Sequence, residues 1–447
     1  MHEGAQSLEE ILFELAVQKP TAAERAEFLD VACRDNPKLR AALDELLESH
    51  FGAGGFLPKL GPGPALPEGP AAIEAPLAPP EAPTRTLDRY KLLEKIGEGG
   101  FGEVWMAEQR EPVRRRVALK ILKLGMDSRQ IVARFEAERQ ALAMMDHPNI
   151  ARIFDAGTTA GRSEIQTPES EISPGRPYFV MELVRGLKIT EYCDENQLTT
   201  HQRLHLFIQV CQAVQHAHQK GIIHRDIKPS NILVTENDGV PVPKVIDFGI
   251  AKATQAELTD KTLFTQFRHF IGTPAYISPE QAKMSSLDID TRADIYSLGV
   301  LLYELLVGQT PFDASEMLRD GIDAMRQIIR EKEPQRPSTR LNTLPHDSRT
   351  TTAKRRKTEP SHLVHQLDGD LDWIVMKCLE KDRQRRYETA NGLAADIRRH
   401  LANEPVVARP PSRAYRIQKA WQRNKRAFSA AAALATALVL EIGRAHV

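Results

Sequence analysis

Cysteine is scarce in this chain, and net charge is absent. Four cysteines, Cys33, Cys193, Cys211 and Cys378, are spread over 447 residues, and none belongs to a CxxC pair. That spacing disfavours a disulfide framework or a zinc site and predicts reduced thiols in a cytosolic compartment. Lys plus Arg number 60 and Asp plus Glu number 60, so the formal charge is zero. No global field points to nucleic acid or to an acidic substrate. The N-terminus, MHEGAQSLEEILFELA, has neither a basic start nor a long apolar core and does not read as a secretory signal. No internal repeat is visible.

What is present suggests a two-lobed domain with appendages, because 447 residues are long for one domain. Residues 1–50 read as a helical packing or docking module. Leu8, Ile11, Leu12 and Leu15 recur at helical spacing, as do Leu39, Leu43, Leu46 and Leu47. Thr21 with Glu24 resembles a capping box. Residues 51–86, rich in Gly, Pro and Ala, predict an extended, disordered linker. From Tyr90, the segments KLLEKIG, EVWMAEQ and RRVALKIL read as three short strands. A helix is expected over about 127–145, a mobile polar loop between two strands over 160–177, and a buried strand at PYFVMELV. After Val184 the pattern is mainly helical, as in HQRLHLFIQVCQAVQHAHQKG and DIYSLGVLLYELLVG. The stretch 331–366, with the basic run Lys354-Arg355-Arg356-Lys357, reads as an insertion-like surface segment with solvated charge.

The chemistry concentrates in two strings, His224-Arg225-Asp226-Ile227-Lys228-Pro229-Ser230-Asn231 and Asp247-Phe248-Gly249. The first offers a carboxylate to orient a hydroxyl, a lysine for phosphate charge and an amide oxygen for a metal. The second offers a metal-binding carboxylate at a turn. Phosphoryl transfer needs in-line positioning and neutralised oxygen charge, which these residue types supply. Gly97-Glu98-Gly99-Gly100-Phe101-Gly102 fits G-x-G-x-x-G, with Val104 following. In a dinucleotide-binding fold such glycines open a helix, but here the strand-like EVWMAEQ follows, so they belong to a hairpin over phosphates. In Val117-Ala118-Leu119-Lys120, alternation along a strand places Ala118 and Lys120 on one side, toward a nucleotide cleft. Lys120 then needs an anionic partner. Phe135, Glu138, Leu142 and Met145 share one helical stripe, whereas Glu136 lies about 160° from Glu138 at 3.6 residues per turn. Glu138 is therefore the expected partner.

These motifs together resemble the Hanks-type serine/threonine protein kinases, of the bacterial membrane-anchored kind, from about Tyr90 to Leu401. The resemblance implies the α+β, two-lobed protein kinase fold over 87–402, with a strand-rich lobe to about 184. It implies ATP with Mg²⁺ or Mn²⁺ as cofactors and protein Ser/Thr hydroxyls as acceptors. It makes Met181 the gatekeeper and the backbone of Glu182 to Val184 the hinge that receives adenine. It makes Asp226 the base or hydroxyl orienter, Lys228 the γ-phosphate contact, and Asn231 and Asp247 the metal ligands. Lys at position 228 is the serine/threonine form. Ser278-Pro279-Glu280 stands where the family has Ala-Pro-Glu, with Glu280 expected to pair with Arg386 in a helix carrying LEKDRQRRY. Tyr387 replaces the proline often found after that arginine. Asp294 should accept hydrogen bonds from the catalytic-loop backbone. Residues Gly272 to Tyr276, including Thr273, would wall the substrate. Arg225 before Asp226 is a cation suited to a phosphate on the activation segment. Autophosphorylation is expected at Thr265, then Thr262, with self-association as its route.

The end of the chain carries a separate expectation. Residues 403–426 read as a basic juxtamembrane segment with Arg409, Arg413, Arg416, Lys419, Arg423, Lys425 and Arg426. The fourteen weakly apolar residues 427–440 are too few to cross a bilayer, which takes about 20. Residues 427–447 are expected to be a truncated transmembrane helix with a non-native-looking end, EIGRAHV. Basic residues before it would keep the kinase domain cytoplasmic at the plasma membrane, with Trp421 at the interface. A pseudokinase, a binding scaffold on the same fold, would have lost one of Lys120, Asp226, Asn231 or Asp247, and all four are present.

Overall fold

A computed structural model describes residues 25, 29–30, 33, 40, 43–44, 86–99, 102–122, 144–159, 176–248, 274–283, 289–313, 317 and 321–423. The chain divides into two compact units, Met1–Pro79 and Pro80–Val447. In the first, Leu29, Cys33 and Leu43 are buried, and Arg40 pairs with both Asp30 and Asp44. Thr21, Glu24 and the expected linker up to 85 lie outside the described residues.

The second unit begins with a six-stranded antiparallel sheet of order β1-β2-β3-β4-β6-β5. Its strands are β1 (Thr86–Leu87), β2 (Tyr90–Gly99), β3 (Gly102–Gln109), β4 (Arg115–Leu122), β5 (Ile153–Thr158) and β6 (Pro177–Glu182). Period-two alternation gives the sheet two different faces. Leu92, Ala107, Val117, Leu119, Ile121 and Val180 form one apolar cluster on one face. Leu122, Ala156, Phe179 and Met181 on the other belong to the large-lobe core. The β5–β6 pairing brackets the polar 160–177 stretch, of which 160–175 lie outside the described residues.

The larger lobe is mainly helical. It holds β7 (Leu187–Lys188), α1 (Ile189–Glu195), α2 (Thr200–Gln219), β8 (Ile232–Asn237), β9 (Val240–Val245), α3 (Pro279–Ala282) and α4 (Arg292–Val307). Then follow α5 (Gly321–Glu331), α6 (Pro337–Thr343), α7 (His346–Lys354), α8 (Pro360–Leu367), α9 (Asp370–Cys378), α10 (Ala390–Leu401) and α11 (Arg413–Arg423). Strands β7, β8 and β9 make a small sheet that carries the catalytic strings at its ends. Helix α2 starts at a capping box in which the Thr199 side chain and Gln202 serve each other's backbone. Helix α4 is almost wholly buried and stops at Gly308, whose φ of 82° is the left-handed cap glycine allows. All four cysteines are free and buried; burial pushes the Cys193 thiol up to about 11, which makes it a packing residue.

Three expectations need correction. The 331–366 stretch is not a surface insertion. It builds α6, α7 and α8, whose Leu341, Ala353, Leu363 and Leu367 lie in the core. Nor is its basic run wholly solvated. Arg356 is 1% exposed and donates to the carbonyls of Thr352 and Leu305, because helix ends leave such acceptors unsatisfied. LEKDRQRRY is not a helix: α9 ends at Cys378, and Asp382 caps a short 3₁₀ turn at Arg383–Arg385. Beyond the kinase domain, the chain after 402 stays packed on the large lobe. Val406 and Tyr415 are buried, and the carboxylate of Asp396 accepts from the amides of Val407 and Ala408.

Candidate active site

The strand-rich lobe supplies the upper wall. Cross-strand register sets Val104 opposite Lys120 and Ala118 opposite both Met106 and Met181. Directly opposed residues share a face, so Val104, Ala118, Lys120 and Met181 line one side of the sheet. Gly97 pairs with Val104 and Gly99 with Gly102, which places the glycine string in the β2–β3 hairpin. Gly100 and Phe101 lie outside the described residues. Of these glycines, Gly102 has a packing reason of its own: a Cβ there would sit 2.1 Å from the Ile121 carbonyl oxygen. Glu98 is tied to Lys95 at 2.6 Å.

The lower wall is a set of backbone clamps. The Ile246 amide donates to the Asn231 carbonyl at 2.9 Å, joining the two catalytic strings. Asn231 Nδ2 donates to the Asp226 carbonyl at 2.8 Å and to its Oδ2 at 3.0 Å. Lys228 Nζ lies 2.9 Å from the same Oδ2. Asp247 has a φ of 63°, a left-handed turn that aspartate tolerates. Its Oδ1 meets Lys120 Nζ at 2.5 Å. Lys120, Asp247, Asn231, Asp226 and Lys228 thus form one contiguous group. Glu138, the expected partner of Lys120, lies outside the described residues with the rest of 123–143. So do Thr262, Thr265 and Thr273.

Beneath this group Asp294 is fully buried. Its oxygens accept from the amides of His224 and Arg225, both at 2.8 Å, and from His218 Nε2 at 2.7 Å. Burial alone would raise this carboxyl, but the His218 bond and charge and the His224 amide outweigh it and hold it below the usual range. Arg386 clasps Glu280 at 2.7 and 2.9 Å. Ser278 caps α3 by a capping box with Gln281, and Gln281 Nε2 donates to the Arg225 carbonyl at 3.0 Å. That explains a serine at this position: it starts a helix that braces the catalytic loop. At the hinge, the Glu182 carboxylate is held by Lys244 at 3.0 Å and by the Arg152 amide at 3.2 Å. Val184 follows and is part-buried.

Sequence reasoning missed two histidines. His224 accepts at Nδ1 from the Asp226 amide, 3.3 Å, and Nε2 lies 3.1 Å from the Ile246 carbonyl. A carbonyl can only accept, so Nε2 carries the hydrogen. Burial lowers the His224 pKa, so the ring is a neutral spacer between the two strings. His218 shares the Asp294 carboxylate. The signal for His224 was its place two residues before Asp226; His218 sits on α2 with no local mark.

The oxygen donors Asn231 and Asp247 suit a hard divalent cation. Among the described residues no cluster of three His, Cys, Asp or Glu side chains forms a metal cage.

Residues 90–397 match the family model for the protein kinase domain. The chain is 36% identical to the serine/threonine-protein kinase PknB of Mycobacterium tuberculosis over 330 residues, 73% of this chain and 45% of that protein. The PknB of Mycolicibacterium smegmatis is 35% identical over 328 residues, 72% of this chain and 45% of that protein. The chain thus spans about half the length of these curated relatives. The kinase domain of Mycobacterium tuberculosis PknI aligns at 22% identity and a TM-score of 0.49, covering 71% of this chain and 99% of that one. With the two-lobed fold and the family match over most of its length, the chain belongs to the protein kinase family, in its Hanks-type serine/threonine branch.

Proposed function

We propose that this protein transfers the γ-phosphate of ATP to serine and threonine hydroxyls of other proteins in a signalling pathway. The observation that carries the reading is the contiguous group of Lys120, Asp247, Asn231, Asp226 and Lys228. Lys228 and Asn231 hold the Asp226 carboxylate in place to orient the incoming hydroxyl and accept its proton. Lys228 is also a cation beside the transferring group. Lys120, paired with Asp247 here, is placed to exchange that partner for nucleotide phosphate. Asn231 and Asp247 would hold Mg²⁺ or Mn²⁺, which when bound neutralises phosphate charge. Glycines 97, 99 and 102 bring backbone close to the phosphates, and adenine meets the hinge at Glu182 to Val184 under Met181. The Glu182 amide already donates to the Arg152 carbonyl at 2.8 Å, so it is not among the groups left for adenine.

Activation by autophosphorylation at Thr265, with Thr262 secondary, is part of this reading, and so is self-association to achieve it. A single membrane-spanning helix from 427 onward, with the kinase body on the cytoplasmic side of the plasma membrane, completes it. Among the described residues no helix is long and apolar enough to cross a membrane, and 424–447 lie outside them. The test is transfer of labelled γ-phosphate to a serine/threonine protein substrate and to the chain itself. Wild type should require a divalent metal, and Asp247→Ala should lose transfer while melting as wild type does. Near-normal turnover by that variant would refute the metal assignment.

A further inference from the structure

Helix α11 has two contrasting faces. Tyr415 and Lys419, one turn apart, are buried against the large lobe. The Tyr415 hydroxyl donates to Asp370 Oδ1 at 2.9 Å, and Lys419 Nζ meets Asp370 Oδ2 at 2.5 Å. Arg409 stacks over the Tyr415 ring at 4.3 Å, and the Tyr415 hydroxyl also accepts from the Val406 amide at 3.0 Å. Asp370 is 6% exposed, and although burial opposes it, bonds from His400, Lys419 and Tyr415 pull its pKa down to about 2. It stays a carboxylate and pins the helix at any physiological pH. The helix is therefore a fixed part of the kinase body.

The opposite face carries Arg413, Ile417 and Trp421, with Arg416 at its flank, all exposed. Ile417 is 64% and Trp421 53% exposed, four residues apart and so stacked along one stripe. Ile417 and Trp421 thus leave apolar area exposed beside arginines on a helix whose other side is buried. They match an interfacial helix, where an aromatic and an aliphatic group enter the headgroup layer and arginines meet lipid phosphates.

We propose that the outer face of α11 binds an anionic phospholipid surface and, being pinned through Asp370, fixes the orientation of the kinase body on the bilayer. This deepens the membrane reading above but does not need 427–440 to span. Charge selects the occupant: Arg413 and Arg416 favour an anionic surface over a neutral one.

The full chain is tested for binding to vesicles of phosphatidylcholine alone and of phosphatidylcholine mixed with phosphatidylglycerol. A spanning segment partitions into both, so the readout is the preference for the anionic vesicles. That preference should weaken with added salt. It should fall roughly ten- to thirtyfold in Arg413→Gln/Arg416→Gln, at about 1 kcal/mol per arginine. It should also fall in Ile417→Ser/Trp421→Ser, with kinase turnover and melting unchanged in both double variants. Equal binding to the two vesicle types, or a preference that survives both, overturns the proposal. A dimer in vesicle-free buffer that Ile417→Ser/Trp421→Ser turns into a monomer assigns the face to a second copy and overturns it too. Loss of binding to neutral vesicles with the variant-sensitive anionic preference intact would sink the spanning helix and leave this surface standing.

Discussion

Arg386 with Glu280 in the large lobe and Lys120 with Asp247 in the cleft are both pairs of a base and a carboxylate, yet their surroundings differ. The Arg386 side chain is 0% exposed. All five of its N–H groups are used, on Glu280, on the carbonyls of Arg292 and Lys381, and through Nε on Glu380. The cleft pair makes one 2.5 Å contact, and the Asp247 side chain is 30% exposed. A buried pair with every donor matched is scaffold, since any exchange of partners would strand a charge. A half-open pair with a single contact can change partners at little cost. The same chemistry thus gives a rigid pair in one lobe and, in the cleft, a pair free to respond to a ligand's charge on the reading proposed above.

The sharpest way to break this contrast is to truncate one member of each pair. Arg386→Ala strands the Glu280 carboxylate and the surrounding carbonyls and should cost about 3–5 kcal/mol of stability. Lys120→Ala should cost under about 1 kcal/mol, because its pair is partly exposed. It should lower turnover by about 10²–10³-fold through lost phosphate stabilisation. Unfolding midpoints and turnover on the same preparations decide it. A stable Arg386→Ala protein, or an unfolded Lys120→Ala one, would mean that the roles are not divided in this way.

A second test sharpens the cleft side. If Lys120 takes Glu138 as its partner in the working enzyme, Glu138→Gln should lower turnover by about 10²-fold. Glu136→Gln, on the far side of the helical stripe, should leave turnover within about twofold of wild type. The reverse pattern in steady-state kinetics would show that the stripe through Phe135, Leu142 and Met145 does not face the cleft.

The catalytic strings were legible because their chemistry is local. Asp226, Lys228 and Asn231 sit within six residues, and only Ile246 separates Asp247 from β9. The strands were legible by alternation, and α2 and α4 by their apolar density. What escaped depends on distant partners. Arg356 looked solvated in a run of four basic residues, and only the carbonyl ends of α4 and α7, 51 and 4 residues away, make it a buried group. The 331–366 helices are short and polar, so periodicity could not separate them from a loop. Ser278 read as a departure until its capping role toward Gln281 was visible. The segment after 402 read as a basic tail because Asp370 and Asp396, which pin it, lie on earlier helices.

The smallest expected effect concerns a carboxylate that belongs to neither kind of pair. Glu304 on α4 takes part in a hydrogen bond with the Tyr276 hydroxyl, which ties α4 to the 3₁₀ turn at Pro274–Tyr276. Burial, with a smaller contribution from Asp194, raises the Glu304 pKa to about 7. A glutamate in the unfolded chain titrates near 4.3. The folded state therefore holds a proton through the window from about 4.5 to 7 that the unfolded state has already released. Stability falls as pH rises wherever the folded state binds more protons. The contribution is fully present below pH 4, declines through that window and is gone above pH 7, a change of roughly 3–4 kcal/mol. Glu304→Gln keeps a hydrogen-bonding partner for Tyr276 and removes the titration. Relative to wild type, the variant should gain stability between pH 5 and pH 8, read from denaturant unfolding midpoints at the two values. If the difference between variant and wild type is the same at both, Glu304 does not titrate in this window. The scaffold would then hold it ionised, as it holds Asp294.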